Sequence, residues 1–404
     1  MPTINDMMEM AELLRSKSVV AVEDHCVAVR NRNASCRKCA DVCQANAITI
    51  AKNELTIDAG ACVGCGACVA VCPTAALVSL DPMDEDLAVA VAAAVRETGT
   101  GTAVLACARM AARQEGDPDK YASVPCLGRV GEQLLVSLAA HGVEDVVLVD
   151  GVCSTCKYGH VSPAVDATVD AAADLLETVD APVVITRTSE FPPEVRAKDA
   201  LAVRGAARRG FFSQASGYAK NVGLTVAEKA VADALHQNQK QKLHTLRDRL
   251  GAGKSGKMPT FSSERNMAFM DALCQIGERT GALAAMEDGD VPAASDAPAT
   301  LASRHFGVVG IDAEKCSGCG MCVMFCPTEA LKYSTLEEPA DEQRRYLEFQ
   351  VADCTQCGLC VDVCLRHCLD LSTRVPVREL FDFEPRLIEI PRPQKPAKLF
   401  NRNR

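Results

Sequence analysis

One arrangement of cysteines occurs twice and restricts the fold more than any other feature of the chain. Residues 62–77 read CVGCGACVAVCPTAAL, and residues 316–331 read CSGCGMCVMFCPTEAL. Both are C-x2-C-x2-C-x3-C-P. Three thiols at two-residue intervals, with Gly64, Gly66, Gly318 and Gly320 between them, let the backbone curl until those sulfurs converge on one centre. The fourth is aimed elsewhere. A chain of 404 residues, 48% of them apolar, holds about two to four domains with their own cores. Its 22 cysteines are bunched at two- and three-residue intervals, which suits metal ligation better than a disulfide scaffold and places the chain in a reducing compartment, the cytoplasm.

The run is the one that holds a cubane 4Fe-4S cluster in bacterial ferredoxins, where the last cysteine of each run ligates the neighbouring cluster. Each run therefore needs a partner, and each has one. Cys26 and then SCRKCADVCQ, with Cys36, Cys39 and Cys43, lie upstream of the first; CTQCGLCVDVC, with Cys354, Cys357, Cys360 and Cys364, lies downstream of the second. Between partners the chain reads as a hairpin, AITI and LTID around AKNE in one case, ALKYS and RYLEFQ around an acidic loop in the other. The swap assigns Cys26, Cys36, Cys39 and Cys72 to a first cluster and Cys62, Cys65, Cys68 and Cys43 to a second. A third takes Cys316, Cys319, Cys322 and Cys364, and a fourth takes Cys354, Cys357, Cys360 and Cys326. Cys26 reaches its set through a longer loop, and Gln44 and Leu365 stand where the usual proline would be. Structural zinc fits poorly, because zinc sites want four ligands and not interlocked sets of eight.

These sixteen leave six of the 22 cysteines: Cys107, Cys126, Cys153, Cys156, Cys274 and Cys368. Four lie in the segment between the ferredoxin runs, where strands (AVLACA, YASVPC, VEDVVLVDG, PVVIT) alternate with helices (GEQLLVSLAAHG, SPAVDATVDAAADLLETV). That alternation predicts a parallel sheet with right-handed crossovers. Cys107, Cys126 and the pair Cys153 and Cys156 each fall at or just past the carboxyl end of a strand, on the edge where open α/β folds build their sites. Four thiolates meeting there would suit a 2Fe-2S cluster or a tetrahedral zinc, and a C-x-x-C pair in an α/β fold can also act as a redox dithiol.

The stretch PCLGRVGEQLLVSLAAHGVEDVVLVDGVCSTCKYGH resembles the delta iron-sulfur subunit of methyl-viologen-reducing hydrogenase over about residues 100 to 190. The resemblance implies that Cys126, Cys153 and Cys156 ligate a 2Fe-2S cluster, with Cys107 in place of the family's first cysteine group. It also implies an anaerobic electron carrier between a hydrogenase or formate dehydrogenase and a heterodisulfide-reductase-like flavoprotein.

Other signals are weaker. The opening MPTINDMMEMAELLRSK is read as an amphipathic helix rather than a signal peptide. The apolar run LAVAVAAAV is far shorter than the roughly 18 residues of a membrane span. A net charge of −10 argues against nucleic acid as a partner. GAGKSGK lacks the first glycine of a phosphate-binding loop and follows a helix, so it is read as a helix end. RRGFF is read as a docking patch, Cys274 and Cys368 as packing residues, the latter placed to substitute for Cys364, and His160 as an outer neighbour of the central site.

The expected architecture is a multidomain α+β and α/β protein. It comprises an N-terminal helix (1–20), a ferredoxin domain with two 4Fe-4S clusters (21–84), a parallel-sheet α/β domain (85–190) and a helical connector (191–300). A second ferredoxin domain with two 4Fe-4S clusters (301–390) and a basic, proline-rich tail (391–404) complete it. The expected function is one-electron transfer as a subunit of a larger oxidoreductase; the rivals are a self-contained reductase acting at the central cysteines and a zinc-stabilised scaffold.

Overall fold

Two short antiparallel pairs close the first ferredoxin-type domain in the computed structural model, which describes residues 18–197, 258–287, 300–336 and 338–393. RRGFF and GAGKSGK lie outside the described residues, as do residues 1–17 of the expected N-terminal helix and 394–404 of the basic tail. The expected helix is corrected at its end, where Val19 and Val20 are in a strand, and Pro391 of the tail ends the last strand. In chain order the domain contains β1 (Val19–Ala21), α1 (Val27–Arg30), α2 (Lys38–Val42), β2 (Ile48–Ala51), β3 (Glu54–Ile57), α3 (Ala67–Ala70) and β4 (Leu77–Ser79). β1 pairs with β4 and β2 with β3. Lys52 and Asn53, at φ +54° and +59°, make the two-residue hairpin turn whose twist suits β2 and β3. Val19, Val29, Ile48, Leu55, Val69 and Leu77 form the core, together with Cys26, Cys39, Cys68 and Cys72.

The central segment follows through α4 (Asp84–Thr98), which has Asp84, Glu85 and Asp86 in its first turn, where the helix dipole favours them, and Gly99 at φ +64° beyond its end. Then come β5 (Thr102–Cys107), α5 (Ala108–Ala111), β6 (Ala122–Val124), α6 (Glu132–Ala140), β7 (Asp145–Val149), α7 (Ser162–Glu177) and β8 (Val184–Thr188). The four strands form one parallel sheet in the order β6-β5-β7-β8. β5 is buried along its whole length, as an unbroken apolar run in the middle of a covered parallel sheet should be. Because the chain leaves β5 for one neighbour and later returns to the other, the crevice beyond the carboxyl ends of β5 and β7 is the switch point of the sheet.

α8 (Glu264–Thr280) is the described part of the expected connector, and α9 (Ala282–Glu287) follows it. Ser263 caps α8 by accepting the Asn266 N–H, and Gly281 ends it at φ +82°. Phe269, Leu273 and Ile276 lie on one face and are fully buried, each contributing about 1.5–3 kcal/mol. They share a core with Val136, Ala139 and Leu175 of the central segment and Phe306 and Val309 of the next domain. Cys274 packs at the margin of this core.

The second ferredoxin-type domain repeats the first. It runs through β9 (Thr300–Ala302), β10 (Val308–Ile311), α10 (Met321–Phe325), β11 (Leu331–Tyr333), β12 (Arg344–Phe349), α11 (Leu359–Asp362), β13 (Leu369–Ser372), β14 (Arg374–Pro376), α12 (Val377–Phe381) and β15 (Arg386–Pro391). β10 pairs with β13 and β11 with β12, as β1 pairs with β4 and β2 with β3. Two additions have no counterpart among the described residues of the first: β9 pairs with β14, and β15 adds a third strand on β12. The hydrophobic alternation of RLIEIP carries β15, which the sequence reading leaves as an unassigned domain end.

A buried ion cluster ties the central segment to this domain. Glu132 on α6 meets His305 at 3.0 Å and also Arg304, which reaches on to the Thr168 hydroxyl at 2.6 Å. Burial works to raise the Glu132 carboxyl, but the bonds and charges of His305 and Arg304 outweigh it and hold its pKa at about 2. The group's stabilising contribution is therefore complete above the ordinary carboxylate value of 4.5 and is lost as pH falls toward about 2. Glu132→Gln, which leaves the Arg304 guanidinium without its carboxylate, is expected to cost about 3–5 kcal/mol at neutral pH. Chemical unfolding of the variant against the parent, repeated at acid pH where the difference should shrink, checks this.

Candidate metal centres

The four cysteine runs end in the same backbone turn. Three residues after Cys43, Cys72, Cys326 and Cys364 come Asn46, Ala75, Glu329 and His367, with φ of +51°, +48°, +58° and +48°. Non-glycine residues rarely enter this left-handed region, and four do so at equivalent places. The turn aims the next backbone N–H at the cysteine sulfur: Ala76 N–H donates to Cys72 Sγ at 3.2 Å and Cys368 N–H to Cys364 Sγ at 3.5 Å. Such bonds favour a charged sulfur. A left-handed glycine follows the second cysteine of three runs, Gly66, Gly320 and Gly358, at φ +77°, +75° and +76°, and starts the short helix carrying the third. In the remaining run Arg37 holds that place at φ −134°, consistent with its departure from the C-x2-C-x2-C spacing.

The thiols gather in interlocked groups. Burial raises Cys26 to about 11, with Cys72 and Cys36 adding to the rise. Burial likewise takes Cys39 to about 12, with Cys72, Cys26 and Cys36 as its charged neighbours. Cys43, Cys62, Cys65 and Cys68 line one pocket, and His160 is part of its lining. In the second domain Cys316, Cys319, Cys322 and Cys364 line another. Burial raises Cys354 to about 12 and Cys357 to about 11, and in both Cys326 adds to the rise; Cys360 is pushed well above the ordinary thiol range by burial and by Cys357, Cys354 and Cys326. Among the described residues no three His, Cys, Asp or Glu side chains crowd together as one chelated ion requires. Thiols set around a space, with backbone N–H groups on their sulfurs, fit a polyatomic iron-sulfur cluster. Iron would replace protons that burial otherwise keeps on the sulfurs.

Cys368 lines the same cavity as Cys316 and Cys364, with its sulfur 3.4 Å from that of Cys364. It occupies the place of Ala47, Ala76 and Ala330, each four residues past a run's last cysteine and all buried. That comparison of the four runs is the signal by which the sequence could have assigned it. Burial opposes the Cys364 thiolate, but the N–H and thiol of Cys368 lower its pKa; Cys368 is pushed up to about 12, first by burial and then by its bond to Cys364.

Further contacts cross the domain boundaries. Ser35 N–H and hydroxyl both donate to Asp362 Oδ2, at 2.7 and 3.0 Å. Val27, Leu359 and Val363 form a small core there, against which Cys36, Phe325 and Cys357 pack. Cys36 is one of the thiols that raise Cys357. On α8, Arg265 donates to the carbonyls of Cys72 and Val69 at 2.7 and 3.1 Å, while Asn266 donates to those of Ala352 and Cys354 at 3.3 and 3.5 Å. At the other end of α8, Arg279 donates to the carbonyls of Ala140 and Ala139, capping α6.

At the switch point Cys107 is the last residue of β5, Cys126 lies two residues past β6, and Cys153 opens a 3₁₀ turn after β7. Burial raises Cys126 to about 12, and Cys65, Cys107 and Cys153 add to it. Cys65 comes from the first ferredoxin run, so this set reaches across a domain boundary; Cys156 is half-buried and is not among the thiols that act most strongly on Cys126. Arg109 fixes the turn through Val152 carbonyl and Thr155 hydroxyl at 2.8 and 3.0 Å. A Cβ on Gly159 would stand 2.1 Å from the Cys153 carbonyl, so only glycine lets the chain pass. Cys153 bonds Asp150 at 3.3 Å, and Arg187 pairs with Asp150 at 2.5 Å and reaches the Cys153 sulfur at 3.6 Å.

Cys368→Ala restores the residue of the other three runs. It is expected to leave iron content unchanged, because the Cys316, Cys319, Cys322 and Cys364 set stays complete. It should make one centre harder to reduce by roughly 0.5–1.5 kcal/mol, through loss of a hydrogen bond to a ligand sulfur. Iron analysis and a redox titration of the variant check both.

No curated protein and no solved structure matches the chain. Residues 34–76 and 315–368 each match a 4Fe-4S dicluster domain. The chain thus carries a ferredoxin-type dicluster domain in two regions, one on either side of a parallel sheet whose strand ends bear thiols.

Proposed function

We propose that the chain is an electron-transfer subunit that passes single electrons along a line of iron-sulfur centres. The supporting observation is the unbroken succession of thiol groups. Cys65 and Cys126 pack against one core and Cys36 and Cys357 against another, while Cys39 acts on Cys68 and Cys322 on Cys360 through their charges. The order along this line is the central set, the set of Cys43, Cys62, Cys65 and Cys68, then Cys26, Cys36, Cys39 and Cys72, then Cys326, Cys354, Cys357 and Cys360, and last Cys316, Cys319, Cys322 and Cys364.

Four cubanes and a 2Fe-2S centre at Cys107, Cys126, Cys153 and Cys156 would supply one-electron couples. The protein residues hold them, aim backbone N–H groups at their sulfurs and exclude water by burial. Among the described residues no helix is long and apolar enough to cross a membrane. The resemblance of the central segment supports a hydrogenase or formate dehydrogenase at one end of the line and a heterodisulfide-reductase-like flavoprotein at the other.

Anaerobic purification with iron, sulfide and zinc counted is the direct test. About eighteen irons per chain, no zinc, and EPR signals from several interacting reduced centres are expected. About sixteen irons with one zinc would remove the fifth centre, and zinc without visible absorbance would leave a scaffold. Turnover of a small substrate by the isolated chain with a reduced dye would favour a self-contained reductase.

A further inference from the structure

Arg30 ends α1 in the first ferredoxin-type domain, is 2% exposed, and has only part of its hydrogen-bonding capacity met. Nη1 donates to the Asp24 carbonyl at 3.0 Å, while Nε and Nη2 are buried with no hydrogen-bond partner. Among the described residues no carboxylate lies within ion-pair distance of it. Other buried or half-buried arginines are better satisfied. Arg129 and Arg345 leave only Nε without a hydrogen-bond partner, Arg129 pairing with Asp84 and Arg345 stacking on Tyr333 and donating to the Gly318 carbonyl, and Arg187 pairs with Asp150 and Asp166. A guanidinium taken out of water without an anion costs several kcal/mol, so an anion belongs beside it.

The anionic groups nearest in effect belong to the other domain. Burial pulls the Arg30 pKa down, and the charges that oppose this are first those of Cys326 and Cys357, with Asp24 after them. Val27, on the same helix as Arg30, belongs to the small core with Leu359 and Val363 where the two ferredoxin domains meet, and Cys357 packs against that core.

We infer that Arg30, carried by the first domain, is the counter-charge of the centre held by Cys326, Cys354, Cys357 and Cys360 in the second, and makes that centre the more readily reduced partner at the domain junction. This rests on the cubane reading of those four cysteines. Four thiolates around a cubane leave a net negative charge, and reduction adds one more. A fixed cation in a low-dielectric junction therefore stabilises the reduced form more than the oxidised. At the junction one electron leaves the centre of Cys26, Cys36, Cys39 and Cys72, which is oxidised, and enters the centre beside Arg30, which is reduced; no proton is required. The donor domain thus supplies the charge that draws its own electron across.

The test is an EPR-monitored redox titration of the full chain, purified anaerobically, as wild type, Arg30→Met and Arg30→Lys, with iron counted in each. With iron retained, Arg30→Met should lower the reduced-to-oxidised ratio of one centre at its wild-type midpoint about tenfold, or about 59 mV for one electron. The other centres should hold their midpoints, and Arg30→Lys should recover most of the shift. An unshifted Arg30→Met, or an equal shift of every centre, overturns the inference. If Arg30→Met sheds iron, Arg30→Gln, which keeps donors and lacks the charge, is titrated instead and decides by the same criterion. Absence of cubane signals from the wild type would instead sink the relay reading itself.

Discussion

Two adjacent side chains, Arg265 and Asn266, hold backbone carbonyls in different ferredoxin-type domains, and the rest of the assembly depends on that clasp. One grips the turn of Cys72 and the other the loop of Cys354. Because both sit at the start of α8, while Arg279 near its end caps α6, a single helix sets the spacing of all three modules. The apolar face of α8 supplies most of the energy through Phe269, Leu273 and Ile276, and the polar contacts supply the register. Ferredoxin-type units that merely shared a chain would keep no fixed separation. With the clasp and the bond from Ser35 to Asp362, Cys36 and Cys357 pack against one small core.

The thiols are the second constraint. Burial raises most of those with resolved shifts, so a thiolate at these places needs a cation to replace its proton. Cys364 is the exception, because Cys368 donates to it. Core and candidate ligands are in this sense one set of side chains, since Cys26, Cys39, Cys68 and Cys72 help fill the core of the first domain.

Local chemistry made much of this readable in advance. The C-x2-C-x2-C-x3-C spacing, the left-handed glycines and the hairpin at Lys52 and Asn53 are all settled within a few residues, and the two regions matched by dicluster domains coincide with them. The alternation around AVLACA and VEDVVLVDG likewise announced a parallel sheet, because a fully covered strand is an unbroken apolar run. What the sequence did not disclose was long-range. Ser35 and Asp362 are 327 positions apart, Arg265 and Cys72 are 193 apart, and no spacing rule connects them. β15 was missed because a third strand on a ferredoxin hairpin has no cue beyond its own alternation. Cys65 could not be seen as a neighbour of Cys126 until the domains were docked.

The four left-handed turns after Cys43, Cys72, Cys326 and Cys364 have a further consequence. A scaffold that repeats the same backbone around each centre gives every centre the same starting electrostatics, and identical carriers in a row impose no direction of travel. Directionality must then come from whatever breaks the repeat. Two such departures among the described residues are a buried guanidinium at one junction and a thiol in place of an alanine in one run. In such a molecule the scaffold is the constant, and isolated departures from its own symmetry write the gradient.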